Sequence, residues 1–239
     1  MRKLIEAIKP AVVRVSSDEE SGSGFLVRDG AALTCLHVVK GSSKVTLWNS
    51  NIGSITAAVA EIDEDHDLAL LRLATGATPH LQLGDYGELA EGDEVLFMGY
   101  PVGGKMCLAH RGMISFKGRI EFKYLPAPVD SFALDGSVNR GNSGGPVLSV
   151  RKGTVVGIVN AKLGDLSEKL YEFRRGRDIL KKLGMSVSVE FGVVEIDGRQ
   201  VGGSDQGDVS AEIVDFLSLY TNAGVGYALS ADYARQLVA

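Results

Sequence analysis

The sequence predicts an all-β protein of two small barrels, each of about six short strands, with a helical ending and an inserted α/β segment. Three observations predict it. Short apolar or alternating runs recur through residues 11–73 and again through 94–161, with Gly, Ser and Asp clusters between them as strand punctuation. Glycine is frequent, at 30 residues, and follows no Gly-x-y period, which suits a turn-rich β protein and not a collagen. The stretch TGATPHLQLGDYGELAEGD (75–93) has no sustained period and separates the two blocks.

Residues 3–9 read as a short helix stopped by Pro10. The first block then runs through AVVRVS, GSGFLV, AALTCLHVV, KVTLWN, ITAAVAEID and DLALLRL. The second runs through EVLFMGYP, KMCLAHRGMIS, RIEFKYL, SFALDG, GPVLSV and TVVGIVNA. Residues 162–223 break the pattern. Leu166, Leu170, Phe173, Leu180 and Leu183 fall at helical spacing, which predicts a helix over 166–183. In VSVEFGVVEIDGRQV the dipeptide Asp197-Gly198 predicts a hairpin turn. Asp208 is placed to cap a further helix with Val209, Ile213, Phe216, Leu217 and Tyr220 on one face. GVGYALS reads as the last strand, and Ser230 as the cap of a terminal helix, ADYARQLV. This divides the chain into residues 1–90, carrying His37 and Asp67, and residues 91–239, carrying Ser143. A helix–hairpin–helix insertion occupies about 163–222 of the second part.

Composition narrows the function. The chain of 239 residues is 45% hydrophobic and 23% charged, an ordinary globular balance. A net charge of −5 gives no general attraction to nucleic acid or anionic membrane. Glu6, Lys9 and Arg14 interrupt any apolar signal-peptide core, and no run is long enough to cross a bilayer. The two cysteines, Cys35 and Cys107, are expected as free thiols. The expected location is the cytoplasm, or the periplasm if a targeting segment precedes these residues.

The chemistry starts at Gly141-Asn142-Ser143-Gly144-Gly145-Pro146. A serine hydroxyl is a weak nucleophile until a base takes its proton, and the oxyanion it creates needs donors already aimed at it. Glycines beside Ser143 let the backbone turn sharply and present N–H groups, here those of Gly141 and Ser143. Four histidines are candidates for the base. His37 ends the apolar run LTCLHVV, whereas His66, His80 and His110 stand in polar or loop-like settings. A carboxylate must hold the imidazole tautomer, and Asp67 opens the apolar run DLALLRL. Asp63, Glu64 and Asp65 before it read as a solvated acidic turn. A calcium loop is rejected because Leu68 stands where such a loop needs glycine. No metal or cofactor is required.

At these residues the sequence resembles the trypsin-like peptidases, most closely their HtrA/Deg branch. The motifs that carry the resemblance are GSGF (22–25), T-x-x-H-V (34–38), DLALL (67–71), GNSGGP (141–146), GIVN (157–160) and the closing Gly226-Tyr227-Ala228-Leu229. The resemblance implies a chymotrypsin-like fold of two six-stranded antiparallel barrels with His37, Asp67 and Ser143 between them. It implies an endopeptidase acting through an acyl-enzyme on protein or peptide substrates. It also implies that Ser137 forms the base of the pocket for the residue before the scissile bond, with Asp135 as the alternative if the loop is shifted. Ile158, Val159, Asn160 and Ala161 would form a pocket wall that pairs with substrate backbone. Serine in place of aspartate at the pocket base would favour small or medium apolar residues. Three features depart from the branch: Cys35 two residues before the histidine, no PDZ domain after the terminal helix, and the 163–222 insertion, a candidate docking place for a regulatory protein. The rival expectation is a protease-fold module that binds or regulates and stays silent until a partner arrives.

Overall fold

The computed structural model describes residues 1–74, 79–101, 104–122, 124–162, 187–190, 193–196 and 224–238. By its internal contacts the chain divides into two units, residues 1–163 with 223–239, and residues 164–222. The first unit holds both barrels. It opens with helix α1 (Arg2–Ile8) and a 3-10 turn at Lys9–Ala11.

The first barrel comprises β1 (Val12–Ser16), β2 (Ser21–Arg28), β3 (Ala31–Cys35), β4 (Lys44–Asn49), β5 (Gly53–Asp63) and β6 (Leu68–Leu73). It closes in the order β1-β2-β3-β6-β5-β4, every pair antiparallel. β4 alternates between the two faces in the way its sequence alternates, with Val45, Leu47 and Asn49 inward. Leu68 to Leu71 of β6 are all buried, which is why this strand reads as a continuous apolar run. AALTCLHVV is not one strand: β3 ends at Cys35, and Leu36–Val39 form a single helical turn, α2.

The second barrel comprises β7 (Glu94–Gly99), β8 (Leu108–Ile120), β9 (Val129–Asp135), β10 (Pro146–Ser149), β11 (Val155–Lys162) and β14 (Val225–Ser230). It closes in the order β10-β11-β14-β9-β8-β7, again antiparallel throughout. The segment from Leu108 to the first two residues of RIEFKYL, which the sequence divides, forms one long strand, β8. It pairs with β7 up to Met113 and with β9 from there on, with a register shift between Ile114 and Phe116. A bulge bends one strand from one neighbour to the next. Gly118 lies under the Phe116 ring, where a Cβ would come within 2.8 Å of Cζ.

Leu96, Met98, Ile158 and Leu229 of the second barrel share one apolar cluster with the core of the first. Phe97, Ile114, Phe132 and Val147 build a separate core inside the second barrel. The terminal helix α3 (Asp232–Val238) packs on β5 and β6. Its first turn is capped as expected, with Asp232 N–H donating to Ser230 Oγ at 3.2 Å. Cys35 and Cys107 are free and buried.

In the second unit the described part is a hairpin of β12 (Val187–Glu190) and β13 (Val193–Ile196), with Glu190 paired to Val193. Both strands precede Asp197-Gly198, the dipeptide at which the sequence predicts a hairpin turn. The helices expected over 166–183 and after Asp208, and Asp197-Gly198 itself, lie outside the described residues.

Candidate active site

The site begins at an unusual backbone. Asp67 has φ of 51°, the one described residue other than glycine with positive φ. The conformation hooks the chain at the mouth of β6, so that the Asp67 carbonyl accepts from Leu36 N–H at 2.9 Å. The carboxylate turns inward, 6% exposed, against α2. There it accepts three hydrogen bonds. His37 backbone N–H donates to Oδ1 at 2.9 Å, His37 Nδ1–H to Oδ2 at 2.6 Å, and Asn160 Nδ2 to Oδ2 at 2.8 Å. A carboxylate can only accept, so His37 must carry its proton on Nδ1, which leaves Nε2 as the basic nitrogen. The ring is 44% exposed and so reachable by substrate.

Ser143 comes from the second barrel. Residues Asn139–Asn142 form a turn closed by Asn142 N–H to Asn139 O at 3.0 Å, with Gly141 at φ of 92°. Positive φ at the third residue of such a turn is the type II signature and favours glycine. Gly144, at φ of 84°, lies so close to the first barrel that a Cβ would stand 2.1 Å from Ser23 O and 2.4 Å from Thr34 Oγ1. The turn thus presses into the first barrel, and Ser23 N–H donates to Ser143 O at 2.8 Å. Among the described residues, neither Gly141 N–H nor Ser143 N–H donates to a protein acceptor. The Ser143 hydroxyl donates to Asn160 O at 3.3 Å.

Ser23, wholly buried, completes the joint between the barrels. Its hydroxyl donates to Gly141 O at 2.6 Å and accepts from Tyr100 N–H at 2.8 Å. The GSGF motif contains this residue, but nothing in the sequence states what its hydroxyl holds. Asn142, also wholly buried, has no hydrogen-bond partner for either side-chain amide atom among the described residues.

The pocket residues fall unevenly. Ser137 is exposed, whereas its neighbour Val138 is buried against Gly226, where a Cβ would meet Val138 Cγ2 at 2.1 Å. Ile158 and Val159 are wholly buried. Val159 N–H donates to Gly145 O at 2.9 Å, and its carbonyl accepts from Gly144 N–H at 2.8 Å, so its backbone groups are already engaged. The Asn160 side chain turns to Asp67. The backbone of Ala161 pairs with Tyr227 of β14 across a register shift.

Cys35 Sγ–H donates to Val159 O at 3.3 Å and lies 3.8 Å from Asn160 Nδ2. Burial, and then the Asp67 charge, push its thiol well above the ordinary range. Ligand atoms of Cys35, His37 and Asp67 lie within 4.8 Å of one another. The donor set does not suit a metal: the thiol is held neutral and the Asp67 oxygens are already engaged by three donors.

Two closed barrels that bring a histidine–aspartate pair and a glycine-flanked serine to one place define the chymotrypsin-like class. The profile of the trypsin-like peptidase domain matches residues 22–158, and the chain belongs to that family. Its relatives lie in the HtrA/DegP branch. The chain is 36% identical over 59% of its length to a probable periplasmic serine endoprotease DegP-like of Hahella chejuensis, covering 29% of that protein. It is 33% identical over 67% of its length to serine protease HTRA1 of Xenopus laevis, covering 38% of it. The match therefore spans well under half of these relatives. Among solved structures, the inactive form of the Rv3671c protease of M. tuberculosis superposes with a TM-score of 0.62 at 28% identity. That likeness covers 68% of this chain and 82% of the other.

Proposed function

We propose that the chain is a serine endopeptidase with Ser143 as nucleophile, His37 as general base and acid, and Asp67 as the residue that orients the imidazole. The observation that carries it is the Asp67 carboxylate, whose three donors leave His37 one tautomer, with Nε2 free to take a proton. In this reading Ser143 Oγ attacks the scissile carbonyl as its proton passes to Nε2. The tetrahedral oxyanion is received by the N–H groups of Gly141 and Ser143. Collapse expels the amine, which takes the proton from the imidazolium, and leaves an acyl-enzyme on Ser143. Water, deprotonated by His37, then releases the acid and restores the site.

Ser137 is the proposed base of the pocket for the residue before the scissile bond, where an uncharged side chain favours small or medium apolar residues. The relatives named periplasmic support that compartment over the cytoplasm. Among the described residues no helix is long and apolar enough to cross a membrane. The segment 163–222 is proposed as a docking place for a regulatory protein, because in the chain it follows Asn160 and Ala161 directly and ends shortly before Gly226.

One observation favours a second reading, activation by a partner: the Ser143 hydroxyl is bonded to Asn160 O and must leave it to meet His37. A fluorophosphonate probe on the isolated chain separates the two. The endopeptidase reading expects labelling and peptide cleavage, both lost in a folded Ser143→Ala variant, and a peptide library would report the pocket preference. A folded wild-type chain that neither labels nor cleaves would overturn constitutive activity, and cleavage that survives Ser143→Ala would overturn the nucleophile.

A further inference from the structure

Asn160 lies between the candidate catalytic carboxylate and a loop that the chemistry above does not use. Its side chain is almost wholly buried, 4% exposed. Nδ2 faces Asp67 Oδ2, which can only accept, so the amide must present its carbonyl oxygen on the other side. A buried carbonyl oxygen needs a donor, and the Tyr124 hydroxyl supplies it by donating to Asn160 Oδ1. The result is a continuous chain of hydrogen bonds from Tyr124 through Asn160 and Asp67 to His37.

Tyr124 stands in the loop between β8 and β9. Its ring is about half exposed, while its hydroxyl reaches inward. Phe122, buried two residues earlier, anchors the loop through an edge contact with Tyr227 at 5.8 Å between ring centres. Burial, and after it the charge of Asp67, push the Tyr124 hydroxyl upward, so it remains a protonated donor across the working range of an enzyme. Without that donor, Asn160 would either keep a buried oxygen unpaired or rotate its amide. Rotation would turn the oxygen towards the carboxylate, acceptor against acceptor.

We infer that Tyr124 is a positioning residue: its hydroxyl fixes the Asn160 amide so that the amide donates to Asp67, and through Asp67 it holds the His37 ring. The inference rests on the serine-peptidase reading for its kinetic consequence but not for the contact itself. The substitution Tyr124→Phe keeps the ring and removes only the donor. It should lower kcat about tenfold and leave KM within about twofold, because the loss falls on the base and not on substrate contacts. In an Asn160→Ala background no amide remains for the Tyr124 hydroxyl to hold, so adding Tyr124→Phe should change kcat less than twofold. In the Ser143→Ala protein, which needs no activity, Tyr124→Phe should shift the far-downfield proton resonance of His37 Nδ1–H.

An unchanged kcat, a loss expressed in KM alone, an equal loss in both backgrounds or an unmoved resonance would each overturn the inference. If the wild-type chain does not cleave peptides, the peptidase reading fails, and the resonance alone still decides whether Tyr124 governs the His37–Asp67 bond.

Discussion

Asp67→Asn is the sharpest test of the site, because every group around the carboxylate is a donor. His37 N–H, His37 Nδ1–H and Asn160 Nδ2 all point at it. An amide has one acceptor atom where the carboxylate has two. With its oxygen at the Oδ1 position it still receives His37 N–H, but its NH2 then faces Nδ1 and Asn160 Nδ2. The imidazole must answer by moving its proton to Nε2, which removes the base. Loss of the correct tautomer costs about 10⁴-fold in kcat, or about 5 kcal/mol of barrier. The opposing Asn160 donor adds a structural cost of about 1–3 kcal/mol. The backbone does not confuse the result, since asparagine accepts the left-handed φ of Asp67 as readily as aspartate does. The control is Asp63→Asn. Asp63 holds His66 in a similar way, with Nδ1 at 2.7 Å and the backbone N–H at 3.1 Å. But the His66 ring is stacked on Tyr233 at 3.7 Å, so this second pair is occupied by packing. Steady-state hydrolysis of a peptide substrate at neutral pH, on variants shown folded by thermal melting, measures both. A kcat for Asp67→Asn within about tenfold of wild type would refute the reasoning, as would an equal loss in Asp63→Asn.

Ser23→Ala should cost about 1–3 kcal/mol of stability, because it strands Gly141 O and Tyr100 N–H in a dry interface. It should also lower kcat through a loosened turn; a denaturation midpoint shift worth under about 0.5 kcal/mol would count against it. Asn142→Asp should destabilise by several kcal/mol at neutral pH, because it buries a charge where the side-chain amide has no hydrogen-bond partner among the described residues. Burial raises the new carboxyl above its unfolded value of about 3.9, so the penalty is present at neutral pH and fades as pH falls through the raised value. Melts that show the same deficit at pH about 4 and about 7 would contradict this assignment.

The strand segments were legible because the barrels keep one apolar face, which writes alternation into β4 and a continuous run into β6. Two segments were misread for physical reasons: KMCLAHRGMIS is parted from RIEFKYL although a register shift carries β8 across the gap, and LHVV looks like a strand continuation but winds into α2 so that His37 can face Asp67. His37 stands out in the sequence at the end of an apolar run, Asp67 at the start of one and Ser143 among glycines. Asn160 was legible as a site residue through its backbone, but its side-chain bond to Asp67 was not, since a strand sequence does not say which way an amide will turn. Tyr124 carries no local signal: only the closure of the second barrel brings its loop to Asn160, 36 residues away. The 163–222 segment was visible as a break in pattern, and its function leaves no mark in residue spacing.

The joint at Ser23 also bears on timing. Ser23, His37, Asp67, Ser143 and Asn160 have all been synthesised by the end of β11, yet the second barrel cannot close without β14, which pairs with both β11 and β9. A nascent chain therefore carries these five residues before β14 closes the barrel that aligns them. A chain ending before β14 should be silent to the fluorophosphonate probe, and labelling of that truncated chain would show that the site assembles before the barrel does.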